Sequence, residues 1–226
     1  MTEKKFPPSK SFASNSHIGS IKLYKKLYQE SIEDPEKFWS EKAERLKWTE
    51  KWDSVREFDF VEGKISWFNN GKLNVSQNCL DRHVEAGNGN RKAIIWEGNN
   101  PGEEKTFTYS ELLSQVQRFA NVLINNGIKK GDRVCIYLQM VPELAIAMLA
   151  CSRIGAVHSI VFGAFSADSL RDRINDSSCK ILITQDTGVR GTKTNISMKA
   201  KADNAVDQTP SIEKVIVVKR TGAEVI

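Results

Sequence analysis

The chain has 226 residues, of which 40% are hydrophobic and 27% are charged, and its formal net charge is +5. This composition is typical of a folded globular chain and excludes an intrinsically disordered one. The positive charge is mild and interspersed, so it does not indicate a nucleic-acid-binding arm, and the longest strongly apolar stretch, residues 144–151, is too short to span a bilayer. Residues 1–12 lack the apolar core of a secretory signal, which favours a cytoplasmic protein.

Neither the cysteines nor the histidines have the spacing of a metal site. The four cysteines form no C-x-x-C pair, and the three histidines share no metal-ligand spacing with them. We therefore exclude a zinc site and expect no metal ligand in this chain. Three of the cysteines lie within or beside apolar segments, where cysteine usually behaves as a small buried hydrophobe. The cysteines expected to be buried are Cys135, Cys151 and Cys179.

The N-terminal part of the chain is predicted to be less regular than the rest. Residues 1–19 are polar and contain serine and proline, and we expect them to be mobile. Residues 20–90 are predicted to form an extension that combines amphipathic helices with irregular segments. Within it, residues 58–90 are expected to be irregular, with a turn at the Asn-Gly pair that ends at Gly71.

Local signals mark one helix of this extension clearly. Asp34 is the expected N-cap and Pro35 the first helical residue, because proline tolerates that position and aspartate accepts hydrogen bonds from the first turn. The apolar spacing after Pro35 predicts a helix over residues 36–48. Together with the helix expected from about residue 20, this predicts amphipathic helices ahead of the main domain.

The remainder, residues 91–226, alternates between apolar strands and amphipathic helices. This alternation predicts an α/β fold with a mostly parallel sheet and helices on both faces. No helix follows the last strand, so that part of the sheet has no predicted cover, and we expect an incomplete subdomain or one that is covered by a partner. The predicted strands are residues 93–96, 105–109, 133–138, 157–161, 180–184 and 214–218.

Two predicted strands of this sheet end in segments that suit a ligand. One ends in Phe162, Gly163 and Ala164, and the next is followed by a loop that contains Arg190 and Lys193. Ligands of parallel α/β sheets bind beyond the carboxyl ends of the strands, and consecutive strands are usually neighbours. We therefore expect a small-residue platform beside two cations, which suits a nucleotide-like polyanion. The alternative is that the small residues only form a tight turn and the cations are solvated.

No catalytic motif is present. The chain contains neither G-x-x-x-x-G-K-[ST] nor a G-x-G-x-x-G after a strand, and no nucleophile–base pair is evident. Asp81, Arg82 and His83 are consecutive and would suit acid–base chemistry, but a structural role is favoured. We expect no catalytic residue in this chain.

Five segments distributed over the chain share a family pattern. They are YQESIEDPEKFW, WFNNGKLNVSQNCLDRHVE, TFTYSELLSQVQRFANVL, GIKKGDRVCIYLQMVPELAIAMLACSRIGAVHSIVFGAFSADSLRDRI and VIVVKRTG. Together they resemble the AMP-forming acetyl-coenzyme A synthetases, which belong to the adenylate-forming superfamily of acyl-CoA synthetases, peptide-synthetase adenylation domains and luciferases. The resemblance begins near residue 20 and continues to the end, and its N-terminal segments are typical of the acetate and propionate branch.

The resemblance implies part of the large N-terminal domain of the adenylate-forming fold and an acetate–CoA ligase activity. Such enzymes convert acetate, ATP and CoA into acetyl-CoA, AMP and pyrophosphate through acetyl-adenylate, with Mg²⁺ assistance. Family members are much longer than this chain, and their phosphate loop, acetate pocket and C-terminal domain are not found in it. The resemblance therefore implies an N-terminal portion that makes no acetyl-adenylate alone.

The resemblance also assigns a role to the two strand ends. The segment Phe162–Ala164 is expected to flank the adenine of CoA, and the cations of the loop are expected to meet its phosphates. Two positions depart from the family pattern, which usually has glycine at Ala164 and arginine at Lys193, so we expect weaker or shifted CoA contacts. The expected CoA-binding residues are Phe162, Gly163, Ala164, Arg190, Gly191, Thr192 and Lys193.

Other functions remain open from the sequence. A propionate–CoA ligase would share all of these segments, and a CoA-binding module without catalysis would share the platform and the cations. An RNA-binding protein has only the positive charge in its favour. The expected partners are therefore small molecules, with neither nucleic acid nor a membrane among them.

Overall fold

The structure is a computed structural model that describes residues 6–225. Residues 1–5, which belong to the segment predicted to be mobile, and residue 226 lie outside the described residues. The described chain forms two compact units, which divide between Leu73 and Asn74. Residues 74–90, predicted above as part of the N-terminal extension, lie in the second unit.

In its described part, residues 6–73, the first unit contains three helices and four short strands. The helix α3 begins as predicted, because the Asp34 side chain accepts a hydrogen bond from the Lys37 amide and Pro35 is the first helical residue. It ends at Ala43, earlier than predicted, because Trp48 leaves the helix and donates its indole N–H to the Ala43 carbonyl at 2.9 Å. The elements are α1 Lys10–Ser14, α2 Ile21–Glu33, α3 Pro35–Ala43, β1 Trp48–Glu50, β2 Ser54–Asp59, β3 Lys64–Asn69 and β4 Lys72–Leu73.

The prediction that residues 58–90 are irregular is wrong. The strands β2 and β3 form an antiparallel hairpin in which Phe58 pairs with Ile65. The predicted Asn-Gly turn connects β3 to β4, and Asn70 has a φ of 62° there. Two π-helical turns follow in the second unit, Gln77–Asp81 and Val84–Asn88. The alternating pattern of the hairpin is weak because most of its side chains are exposed, and exposed strands carry little periodic signal.

The second unit contains the alternating strands and helices that the sequence predicts. Its helices begin and end at the expected signals: Thr108 and Glu111 form a capping box, and Gly155 ends a helix with a φ of 73°. The elements are β5 Lys92–Glu97, β6 Glu104–Thr108, α4 Tyr109–Asn125, β7 Arg133–Leu138, α5 Pro142–Ile154, β8 Val157–Phe162, α6 Ala167–Ser177, β9 Ile181–Gln185, β10 Thr187–Arg190, β11 Lys193–Ser197, α7 Met198–Val206 and β12 Lys214–Val218.

Four of these strands form one parallel sheet in the order β12–β9–β7–β8. The expectation that β8 and β9 are neighbours is wrong, because β7 lies between them. Ile136 of β7 pairs with Ile160 on one side and with Ile183 on the other. The side chains of β7 are almost all buried, which favours the centre of the sheet, whereas β8 is half exposed and lies at an edge.

Helices cover both faces of this sheet, as predicted. Alternate residues of β7 point to opposite faces, so Ile136 packs in a cluster with α4 and α5, and Tyr137 packs in a second cluster with α6 and α7. The three cysteines predicted to be buried lie in these clusters. Within residues 6–225 no helix has both the length and the apolar character that a membrane crossing needs.

Candidate functional site

A cavity of about 760 Å³ lies at the carboxyl ends of β7 and β8. A volume of this size suits a nucleotide-sized ligand. The structure brings both predicted groups together here, although their strands are not neighbours. All seven of the predicted residues line the cavity: Phe162, Gly163, Ala164, Arg190, Gly191, Thr192 and Lys193.

A hairpin explains how the two groups meet. The segment after β9 was predicted to be a loop, which is wrong, because it forms the antiparallel pair β10 and β11. The side chain of Gln139, at the end of β7, accepts a hydrogen bond from the Val189 amide at 3.0 Å and donates one to the Val189 carbonyl at 3.3 Å. Gly188 allows this approach, since a Cβ there would lie 2.7 Å from the Oε1 atom of the Gln139 side chain. The hairpin is thereby anchored over the end of β7 and reaches the end of β8.

The two predicted cations lie at the tip of this hairpin. Arg190 and Lys193 are a directly paired position of β10 and β11, and Gly191 and Thr192 form the turn between them. Gly191 has a φ of 57°, a conformation that glycine adopts without strain. Side chains at paired positions share a face with Cβ atoms about 5 Å apart, and like charges there repel each other. Neither cation has an ion-pair partner among residues 6–225.

The cavity is also lined by two cations that the sequence did not indicate, Lys201 and Arg220. Lys201 of α7 has no ion-pair partner in the described chain, while Arg220 forms an ion pair with Glu103. This ion pair holds the pKa of the Glu103 carboxyl below its ordinary value. Glu97 is the one carboxylate that lines the cavity among the described residues. The cavity is therefore strongly cationic. No local motif connects these residues, which is why sequence reasoning missed them.

One wall of the cavity is aromatic. The guanidinium of Arg220 lies 5.2 Å from the centroid of the Trp96 ring, and the Trp96 indole N–H donates to the Met140 carbonyl at 2.7 Å. Phe162, which also lines the cavity, is 57% exposed. Its ring meets Phe165 edge to face at 6.1 Å, which fixes its position at the cavity.

Gly163 is required by packing as well as by its place in the cavity. A Cβ at Gly163 would lie 3.0 Å from the Leu138 carbonyl oxygen and 3.2 Å from the Met198 side chain. The glycine therefore lets the end of β8 approach the end of β7 closely. The neighbouring Ala164 is exposed and contributes the small surface that faces the cavity. The tight-turn alternative thus accounts for Gly163 and Ala164, the central residues of a turn closed by the hydrogen bond from the Phe165 amide to the Phe162 carbonyl at 2.9 Å. It leaves the exposed Phe162 ring unexplained.

A buried carboxylate places Arg220. Asp186 is buried at the end of β9 and accepts hydrogen bonds from the amides of Thr187, Arg220, Thr221 and Gly222. Burial by itself raises the pKa of the Asp186 carboxyl, but these amide bonds together hold that pKa below its ordinary value. The segment after β12 is consequently fixed to the end of β9, so Arg220 is directed to the cavity.

The residues Asp81 and His83 serve packing. Asp81 forms a two-pronged ion pair with Arg153 of α5, at 2.8 Å and 2.9 Å, and the His83 ring packs against Tyr109 at 4.8 Å. These contacts do not bring them together with a nucleophile. Among residues 6–225 no group of three or more histidine, cysteine, aspartate or glutamate side chains is arranged to hold a metal ion.

A parallel α/β sheet with a cationic, nucleotide-sized crevice at its carboxyl ends is typical of enzymes that bind nucleotides. The fold matches a solved structure, acetoacetyl-CoA synthetase from Streptomyces lividans, with a TM-score of 0.79 and 23% identity, over 96% of this chain and 33% of that one. Residues 80–225 match the model of the AMP-binding enzyme family, so the chain belongs to that family. More particularly, residues 24–79 match the model of the acetyl-coenzyme A synthetase N-terminus.

Acetyl-coenzyme A synthetases match this chain over most or all of its length. Acetyl-coenzyme A synthetase from Rubrobacter xylanophilus is 54% identical in an alignment of 230 positions, which covers 100% of this chain and 35% of the relative. The protein of the same name from Saccharophagus degradans is 54% identical over 97% of this chain and 34% of its own length. Acetyl-coenzyme A synthetase 2 from Pseudomonas putida is 52% identical over 89% of this chain. The chain spans about a third of the length of these relatives.

Proposed function

We propose that this chain supplies the site for the nucleotide end of CoA in an AMP-forming acetate–CoA ligase. The observation that carries the proposal is the pair of cations without ion-pair partners, Arg190 and Lys193, at the tip of a hairpin that lines the same cavity as the exposed Phe162. CoA combines an adenine ring with several phosphates, and these two features require an apolar platform beside positive charge.

The phosphates are the partners that the hairpin cations lack. Arg190 offers a planar fork that forms two parallel hydrogen bonds with one phosphate, and Lys193 offers a compact point charge. An anion between them removes the repulsion of two like charges at a paired position. Lys201, which also lines the cavity, adds a further positive charge.

The adenine is placed against the end of β8. The exposed Phe162 ring provides a face or edge for stacking, and the small Ala164 lets a flat ring approach the backbone closely. Binding here holds the carrier end of CoA, and the rest of the molecule extends away to where its thiol reacts. The chain thereby contributes orientation, while the reacting groups lie elsewhere in the enzyme.

The overall reaction joins acetate to CoA at the expense of ATP. Acetate attacks the α-phosphate of ATP and displaces pyrophosphate, and the CoA thiol then attacks the carbonyl of acetyl-adenylate and displaces AMP. Mg²⁺ would neutralise the phosphate charge in the first step, but the described residues contain no set of metal ligands, so no step is assigned to it here. The absence of nucleic-acid and membrane partners and a cytoplasmic location remain predictions.

Calorimetric titration tests the proposal. We expect the chain to bind CoA and to bind dephospho-CoA more weakly, since the latter lacks the 3′-phosphate. Arg190→Ala is expected to weaken CoA binding by about tenfold or more, since a charge-assisted bond contributes about 1.5–3 kcal/mol. Arg118→Ala is a matched control, because Arg118 is an arginine that does not line the cavity. Equal binding of CoA by the wild type and Arg190→Ala would contradict the proposal.

A second measurement asks whether the residues that adenylate acetate lie within this chain. Acetate-dependent exchange between ATP and pyrophosphate reports acetyl-adenylate formation, and we expect none from the 226-residue chain alone. Exchange by the purified chain would show that the residues for adenylation are within it. CoA binding without exchange is the expected result.

A further inference from the structure

The geometry points to Asn99 as a positioning residue that holds the hairpin tip, and with it Arg190 and Lys193, at the mouth of the cavity. This inference rests on the proposed function, because it concerns how the two cations are kept in a geometry that suits CoA phosphates. Asn99 lies in the connection between β5 and β6, and neither composition nor motif singled it out.

The contact between Asn99 and Gly191 uses both ends of the side-chain amide. The Asn99 Oδ1 atom accepts a hydrogen bond from the Gly191 amide at 2.6 Å, and the Asn99 Nδ2 atom donates one to the Gly191 carbonyl at 2.9 Å. A side-chain amide thus pairs with one residue as a neighbouring strand would. The two residues are 92 positions apart in the chain, so this pair joins two separate loops.

Gly191 is the residue at which such a pair controls the cations. It follows Arg190 directly, and the turn it forms with Thr192 leads to Lys193. Its left-handed backbone, with a φ of 57°, sets the direction of the turn. Hydrogen bonds to both the amide and the carbonyl of Gly191 fix the backbone orientation at this residue. That orientation in turn sets the positions from which the Arg190 and Lys193 side chains extend.

Asn99 is itself held in place, which a positioning residue requires. The Glu103 carboxylate accepts a hydrogen bond from the Asn99 amide at 3.0 Å and one from the Asn100 amide at 3.4 Å. Glu103 is anchored in turn by its ion pair with Arg220. The β5–β6 connection is therefore braced by a charged group, and the Asn99 side chain extends from a fixed backbone.

The hairpin needs support at its tip because its cations repel. Gln139 binds Val189 near the base of the hairpin, and Asn99 binds Gly191 at the tip. With the base alone fixed, the unpartnered side chains of Arg190 and Lys193 would push the tip apart in the free protein. The free-energy cost of ordering the tip would then be subtracted from the affinity for CoA. Asn99 avoids this cost by holding the tip in place before CoA binds.

The test combines CoA titration with amide hydrogen exchange. Asn99→Ala is expected to weaken CoA binding by about three- to tenfold, as the loss of one to two hydrogen bonds predicts. The Gly191 amide is expected to exchange faster in this variant, while the amides of β7 keep their rates, which a general loss of stability would not produce. Asn126→Ala is the matched control, since Asn126 also bonds a backbone carbonyl, that of Val122 at 2.8 Å, but is not in the cavity lining.

The outcomes separate this inference from the proposed function. A wild-type chain that does not bind CoA would contradict the proposed function, and the Gly191 exchange rate in the free protein would still decide the role of Asn99. Unchanged exchange at Gly191 in Asn99→Ala overturns the inference in either case. Unchanged CoA affinity in Asn99→Ala, with a wild type that binds, overturns it as well.

Discussion

Gln139 and Gln185 join the ends of two neighbouring parallel strands through their amides. The backbone amide of Gln139 donates to the Gln185 Oε1 atom at 3.0 Å, and the Gln185 Nε2 atom donates to the Gln139 Oε1 atom at 3.2 Å. The same Gln139 side chain binds Val189 of the hairpin. This hydrogen-bonded pair of glutamines therefore anchors the hairpin that carries Arg190 and Lys193 at its tip.

Replacing the buried glutamine of this pair is expected to destabilise the chain. Gln185→Leu leaves the Gln139 amide and the Thr187 carbonyl without their partner, and each buried unsatisfied group costs about 1–3 kcal/mol. We expect the free energy of unfolding, measured by urea denaturation, to fall by about 2 kcal/mol or more. Gln208→Leu, an exposed control, is expected to change it by less than about 0.5 kcal/mol. Equal midpoints for the two variants would refute the role of the pair.

Adding a methyl group at Gly163 is expected to disturb both packing and binding. The new Cβ would lie 3.0 Å from the Leu138 carbonyl oxygen, so backbone must shift, at a cost of about 1–3 kcal/mol. Thermal unfolding and CoA titration of Gly163→Ala are expected to show lower stability and weaker binding. Ala164→Gly is the complementary variant, and it is expected to bind CoA at least as tightly as the wild type because it widens the exposed platform. Unaltered stability of Gly163→Ala would contradict the packing argument.

Arginine at position 193 is expected to strengthen CoA binding. Lys193 makes single contacts, whereas an arginine fork makes two parallel bonds to one phosphate, so Lys193→Arg is expected to lower the dissociation constant by about two- to fivefold. The gain is expected to be smaller with dephospho-CoA. Lys214→Arg, on the exposed side of β12, is a control that is not expected to change binding. If Lys193→Arg bound CoA more weakly than the wild type, the assignment of Lys193 to a phosphate would be wrong.

Asp186 is expected to make stability depend on pH in the acidic range. The folded state holds the pKa of its carboxyl below the ordinary value of 3.8, so its contribution is present above about pH 4 and is lost as the pH falls through the lower, folded pKa. Asp186→Asn is therefore expected to be less stable than the wild type between pH 5 and about pH 7, with a difference that shrinks below pH 3.8. Urea denaturation at a series of pH values measures this, and a constant difference would contradict it.

Local patterns in the sequence were sufficient to predict the alternating elements and their ends. The helix signals in this part of the chain depend on neighbouring residues only: the structure shows a capping box at Thr108, a C-terminal glycine at Gly155 and an N-cap at Ser166. The order of the strands depends on which strand is buried on both sides, and the assumption of sequential neighbours therefore misplaced β8 and β9.

The candidate site was predicted only in part, for a related reason. Both predicted groups line the cavity, but the hairpin that carries Arg190 to it has short, exposed strands without a clear apolar period. Asn99, Gln139 and Arg220 act through contacts with residues distant in the chain. Such contacts leave no local pattern, so these residues became visible in the structure alone.

The most direct measurement is an NMR titration of the labelled chain with CoA, read from the backbone amides. The account predicts that the largest chemical-shift changes occur together at two separate segments, residues 162–164 and 190–193, and that they saturate at the same CoA concentration. The Arg190→Ala variant should show both sets of changes reduced together at that concentration. Saturating changes confined to other parts of the chain, or to one of these two segments, would contradict a single CoA site formed by both segments.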